Sequence, residues 1–150
     1  MSTQRVLLDT NVFISYLLTT EPSSAVTCVV EAGIRGRFTW LLPLDLVEEL
    51  TAKARSKVYL AQRITPERIQ RLIDNVAEVA EILPRIAQPI PAITRDRSDD
   101  YLLAYALVGQ ADYLVTGDRD LLVLGQVAET RIVSPAAFAA LLAGTSTSDN

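Results

Sequence analysis

Histidine is absent from this 150-residue chain. Its absence removes Ser-His-Asp and Cys-His nucleophile systems, histidine zinc sites and histidine-pair ribonuclease chemistry together. Any catalysis must rest on carboxylates, hydroxyls, Lys or Arg. Cysteine is nearly as scarce: the single Cys28 lies in an apolar helical run, so no disulfide forms within the chain and a reducing compartment fits. Long apolar runs are lacking too. Asp9 interrupts the only N-terminal one, which argues against a signal peptide, and nothing reaches membrane-spanning length. A cytoplasmic protein is expected. Basic residues are outnumbered, 14 Lys and Arg against 18 Asp and Glu, for a net charge of −4. That balance argues against holding nucleic acid by a broad basic surface. It leaves room for a nucleic-acid enzyme, because bound metal ions reverse the local sign. The 49% of apolar and 21% of charged residues are an ordinary balance for one soluble globular domain with its own core.

Strand and helix patterns alternate along the chain. Arg5-Val6-Leu7-Leu8 has no polar alternation, the mark of a strand buried on both faces, and it runs through Asp9 straight into a helix, Val12 to Leu18. Glu21 to Ser24 reads as a loop with a cap, Ala25 to Ile34 as a helix closed by Gly33 or Gly36, and Phe38 to Leu42 as a second strand. Pro43 opens a helix from Leu44 to about Val58. Thr65-Pro66-Glu67 starts another, and the spacing of Leu72, Ile73, Val76, Val79 and Leu83 predicts that it continues to Leu83. Pro84 to Pro91 reads as an extended connector. In the next stretch Ser98 caps a helix that opens with Asp99 and Asp100, is apolar almost all round from Tyr101 to Val108, and ends at Gly109. Tyr113 to Thr116 is a strand stopped by Gly117 and followed by Asp118 and Asp120. Leu121 to Leu124 forms a helical turn, Thr130 to Val133 a last strand, and Ala136 to Leu142 a last helix behind Ser134-Pro135. The polar residues from Gly144 to Asn150 read as a disordered tail. The expected domain therefore spans residues 1–143: α/β, doubly wound, with a mostly parallel sheet flanked by helices, a Rossmann-type three-layer arrangement.

Carboxylates recur where such a fold binds ligands, at the carboxyl ends of strands. Asp9 follows the first strand, Asp118 and Asp120 follow a later one, and Asp100 stands at a helix start. Glu49 lies near the edge of the buried face of its helix, next to Leu46 and Leu50. Each has a plainer use: Asp9 as a helix cap, Asp118 and Asp120 as turn formers, Glu49 as partner of Lys53 four residues on. Lys53, Arg55 and Lys57 form a basic run that reads as a solvated face. Gathered together, the acids would repel, and a fold that gathers them usually holds a cation. Oxygen ligands without His or Cys select Mg²⁺ or Mn²⁺ over zinc, and phosphodiester hydrolysis by a metal-activated water is the chemistry that follows.

Leu8-Asp9-Thr10-Asn11-Val12, Val47-Glu48-Glu49-Leu50, Asp100-Tyr101-Leu102-Leu103-Ala104 and Leu114 to Leu121 resemble, in that order, the motif set of the PIN-domain family. Ile132 to Phe138 also fits, so the resemblance covers nearly the whole chain. It extends to single-domain VapC-type toxins of toxin–antitoxin pairs, which are Mg²⁺-dependent ribonucleases. What the resemblance implies is a metal site at Asp9, Glu49, Asp100 and Asp118, with Asp120 as an outer or second-metal ligand and Asn11 and Thr116 as orienting polar groups. It also implies an RNA substrate, a small DNA-binding antitoxin with an Arg- or Lys-bearing tail, and a homodimer formed through helices. Asp99 and Asp100 point about 100° apart on a helix, so one ion does not take both; Asp100 keeps the family's spacing to Ala104 and Asp118, so the resemblance favours it, with Asp99 and Asp96 as cap or entry residues. Arg95 and Arg97 stand where a phosphate contact is expected, and Arg119 either touches phosphate or pairs with a neighbouring Asp. A phosphoacceptor receiver needs a lysine after a late strand, and an aspartyl-phosphate phosphatase an Asp where Asn11 stands. A non-catalytic PIN scaffold is the alternative.

Overall fold

The chain is described from a computed structural model over residues 3–87, 90, 92 and 97–148, with the backbone alone at 97, 98 and 145–148. Its first half runs β1 (Arg5–Leu8), α1 (Thr10–Leu18), α2 (Ala25–Ile34), β2 (Thr39–Pro43), α3 (Leu44–Ser56), α4 (Val58–Arg63), α5 (Pro66–Val79) and β3 (Glu81–Leu83). The second half runs α6 (Arg97–Val108), β4 (Tyr113–Val115), α7 (Arg119–Leu122), β5 (Gln126–Val127), β6 (Thr130–Val133) and α8 (Pro135–Ser148). Among the described residues the strands form one sheet in the order β3-β2-β1-β4-β6-β5, parallel except where β5 turns back on β6. The α/β class and the mostly parallel sheet flanked by helices are as the sequence predicts.

Strand β1 organises the sheet. Val6, Leu7 and Leu8 are fully buried, with β2 on one side (Leu7 opposite Leu41) and β4 on the other (Leu8 opposite Val115). The chain first winds from β1 outward through β2 to β3, then returns through α6 to the opposite side of β1. The crevice between the carboxyl ends of β1 and β4 is thus the point at which the winding reverses, where open α/β sheets bind ligands.

An aromatic group fills one part of the core. Trp40 packs on Phe13 and Phe38 with ring centroids 5.6 and 5.9 Å apart, and Phe38 packs edge-on to Phe138 of α8. Gly33 makes that packing possible, because a Cβ there would lie 2.4 Å from a Trp40 ring carbon and 2.6 Å from Phe38. The residue that closes α2 is Gly36, whose φ of +80° allows the Arg37 N–H to reach the Ala32 carbonyl and its own N–H to reach Gly33.

The structure differs from the local reading at four places. The helix expected to continue to Leu83 stops at Val79, and Glu81–Leu83 instead adds a strand to β2, because ladder pairing with Leu41–Pro43 overrides the apolar spacing. The helix from Leu44 breaks at Lys57 (φ −125°, ψ 136°), and α4 follows as a separate element. Strand β5, too short to show a pattern, pairs with β6. Helix α8 does not stop near Leu142 but runs on to Ser148, since extending a nucleated helix costs far less than starting one. Most of the expected connector's later part and Asp96 lie outside the described residues.

Helix α6 is held to α3 by Tyr105. Its hydroxyl donates to Asp45 Oδ2 at 2.5 Å and accepts the Ile86 N–H at 3.2 Å, while Arg85 pairs with Asp45 at 3.0 Å and with Glu48. Burial and the bond to Asp45 push the Tyr105 hydroxyl from its ordinary pKa of 10.0 up to about 12.

Two outcomes follow from this packing. Gly33→Ala should destabilise the protein by about 1–3 kcal/mol in denaturant unfolding, overpacking at Trp40 outweighing the better helix propensity of Ala. An unchanged midpoint would show that the rings can move aside. For Tyr105, a folded pKa raised above the unfolded one gives stability that is complete below pH 10 and lost as pH climbs from 10 to about 12. The gap in unfolding free energy between wild type and Tyr105→Phe should narrow by about 2 kcal/mol over that range. Parallel curves would mean that the hydroxyl keeps an ordinary pKa.

Candidate active site

Asp9 leaves the end of β1 with its N–H bonded to the Val115 carbonyl at 3.0 Å, so the β1–β4 ladder continues one residue past the strand. It caps α1, Oδ1 accepting the Asn11 N–H at 3.4 Å. Its Oδ2 accepts a hydrogen bond from the Thr116 hydroxyl at 2.7 Å. Only 6% exposed, its carboxyl is pushed above the usual carboxylate range by burial, an effect opposed by the Thr116 and Asn11 hydrogen bonds. Each carboxylate oxygen has a further lone pair, so capping the helix and facing a cation are compatible.

Thr116, fully buried just past β4, connects the two strand ends. Its hydroxyl donates to Asp9 and accepts the Asp118 N–H at 3.0 Å, while its own N–H donates to the Val133 carbonyl. Asp118, half-buried, caps α7 through the Asp120 N–H at 2.9 Å. Glu49 arrives from α3. Its Oε2 accepts from the Thr10 hydroxyl at 3.3 Å, and its Oε1 lies 3.3 Å from Lys53 Nζ, which also reaches Asn11 Oδ1 at 3.5 Å.

These groups line one cavity of about 130 Å³, walled by Asp9, Asn11, Glu49, Lys53, Asp99, Leu102 and Asp118. Four acids from four segments therefore face a common space. The member from α6 is Asp99. Asp100 is equally buried (5% against 7% exposed) but is not among the residues lining the cavity, where the sequence reading had preferred it. Motif spacing fixed the turn of helix but not its rotation, and one residue of helix swings a side chain by about 100°. Asp120 and Arg119 are exposed on α7 and do not line the cavity. Arg95 lies outside the described residues, and Arg97 is the first residue of α6, described by backbone alone. The sequence reading missed Lys53 as a site residue; its four-residue spacing from Glu49 pointed to the ion pair but not to the cavity. Glu49 also borders a larger cavity of about 550 Å³ that includes Arg85, Ile86 and Tyr101.

The cavity's donors are carboxylate and amide oxygens, with no imidazole or thiolate, the set that suits Mg²⁺ or Mn²⁺. Among the described residues no three acids are already gathered as a metal-binding cluster, so the carboxylates ring a space rather than close on a point. Small shifts of side chains around a polar cavity of this size would suit an ion that keeps several of its waters.

No curated protein matches this sequence. Among solved structures, VapBC2 from Rickettsia felis, crystallised bound to a DNA fragment from their promoter, shares the fold with a TM-score of 0.58. The alignment covers 87% of this chain and 98% of that one at 14% identity, a level at which the fold is what is shared. A family model described as PIN domain matches residues 5–120, from the start of β1 into α7, and so includes every residue lining the acidic cavity. The chain belongs to the PIN-domain family.

Proposed function

We propose that this protein is a metal-dependent endoribonuclease and the toxin of a toxin–antitoxin pair. The observation that carries this reading is the cavity at the reversal point of the sheet, walled by Asp9, Glu49, Asp99 and Asp118. Membership of the PIN-domain family and the fold shared with VapBC2 support it.

Asp9, Asp99 and Asp118 are the residues to hold Mg²⁺ or Mn²⁺. When bound, such an ion would polarise the scissile phosphate and make water a competent nucleophile at neutral pH. In the reaction a water oxygen bonds to phosphorus, one ester P–O bond breaks, and the departing sugar oxygen takes a proton. Thr116 fixes Asp9 from behind, and Asn11 and Glu49 complete the polar wall. Asp120, outside the cavity, is left with an outer role through the backbone bond to Asp118, and Asp100 with a structural one. Arg97 and Arg119, with Arg95 by sequence position, are the basic groups for the flanking phosphates.

The same acidic cavity explains an antitoxin. A guanidinium binds carboxylates in bidentate fashion, so a small DNA-binding protein with an Arg- or Lys-bearing tail would silence the site by occupying it. Self-association through helices, giving a homodimer, completes the expected assembly. No helix among the described residues is long and apolar enough to cross a membrane.

The purified protein should cut single-stranded or looped RNA with Mg²⁺ or Mn²⁺ and stop in excess EDTA. Asp9→Asn, Asp99→Asn and Asp118→Asn should each lower the rate by about 100-fold or more, and Thr116→Val by about 10–100-fold through loss of Asp9 orientation. Asp100→Asn should stay within a few-fold of wild type. Cleavage that persists without divalent ions sinks the metal reading, and loss of activity at Asp100 but not at Asp99 reverses the ligand assignment. A folded protein that cuts no RNA under any of these conditions favours the scaffold alternative.

Solution mass tests the assembly. Light scattering should give two copies of the chain alone and a larger complex with the product of a small adjacent gene encoding a basic-tailed DNA-binding protein. A strict monomer that binds no such product counts against the partner assignment.

A further inference from the structure

Lys53 is one of only two lysines in the chain, and among the described residues it is the only cation lining the acidic cavity. A Glu–Lys pair four residues apart on a helix is ordinarily a solvent-facing ornament of that helix. This one is different in three respects. Its Nζ reaches across to Asn11 Oδ1 at the start of α1, and its charge acts on Asp9 at the end of β1. Both oxygens of Glu49 are engaged, Oε1 by Lys53 and Oε2 by the Thr10 hydroxyl. Thr10, Glu49, Lys53 and Asn11 therefore form a continuous polar chain between α1 and α3 along one wall of the cavity, with Asp9, Asp99 and Asp118 making up the rest of its acids.

An ammonium carries three donors, and two of them are accounted for by Glu49 and Asn11. The third is available to a ligand that enters the cavity. A second divalent ion drawn to Glu49 would have to displace Lys53 and Thr10 together, or sit beside a like charge.

We propose that Lys53 is a catalytic residue that takes the place of a second metal ion: Glu49 and Asn11 aim its ammonium at a non-bridging oxygen of the scissile phosphate, while Asp9, Asp99 and Asp118 serve a single divalent ion. This rests on the nuclease reading above. Phosphoryl transfer spreads negative charge over the equatorial oxygens, and a fixed cation beside them stabilises the transition state more than the ground state. Glu49 then acts as a positioning residue for Lys53 and not as a metal ligand.

The test counts metal ions and measures cleavage on the same preparations. Mn²⁺ titration followed by electron paramagnetic resonance should give one ion per wild-type chain, and a second weaker ion in Lys53→Met, where Glu49 is released. Single-turnover RNA cleavage at saturating substrate should fall about 100-fold in Lys53→Met. Lys53→Arg should keep the one-ion stoichiometry and regain part of the rate, and melts in EDTA should confirm that both variants are folded. Two ions on wild type, with RNA cleavage intact, overturn the inference while leaving the nuclease reading in place. So does a Lys53→Met protein that still binds one ion or cuts at the wild-type rate. A wild-type protein that binds no Mn²⁺ and cuts no RNA overturns the nuclease reading itself, and the role of Lys53 with it.

Discussion

The hydrogen bond from the Thr116 hydroxyl to Asp9 Oδ2 is the constraint on which the candidate site depends. It joins the ends of two neighbouring parallel strands whose backbone ladder stops there, and it does so inside the protein, where an unmade bond costs more than at the surface. Because the same hydroxyl accepts the Asp118 N–H, one oxygen sets the spacing of two carboxylates that belong to distant parts of the sequence. The β1–β4 pairing supplies the distance, and Thr116 supplies the orientation.

Placing acids there works against stability. Asp9 is desolvated and held near other carboxylates, and its raised pKa reports that penalty. The fold offsets it locally. Asp9 and Asp118 each cap a helix, Glu49 accepts from Thr10, and Lys53 brings a positive charge to the cavity wall. Asp9, read from the sequence as a helix cap, and Glu49, read as the partner of Lys53, both have those uses. The structural use and the functional one are carried by the same side chains, with different lone pairs.

Much of this was legible in the sequence because it is written in local pattern. Buried strand runs, an Asp directly after a strand, and Pro and Ser before helices gave the α/β class, the segments and the positions of Asp9, Glu49 and Asp118. What was not legible depends on three dimensions. The choice between Asp99 and Asp100 turns on the rotation of α6, which is set by packing such as the Tyr105–Asp45 bond and not by spacing. Strand β3 exists because β2 was there to receive it, and three residues carry no periodicity of their own. Lys53 looked like one member of an exposed basic run, and only the approach of α1 to α3 places it at the cavity.

The two margins of the sheet differ from its middle in a way that bears on how copies of this chain can meet. Strand β3 at one margin has three residues, and β5 at the other has two and runs against its neighbour. A strand from another molecule adding to either would find two or three rungs of ladder, too few to repay the ordering of a new strand. Among the described residues, both edges of the sheet therefore offer little to a strand that would add to it. Pairing of copies edge to edge is disfavoured, so that the parallel core remains private to each copy.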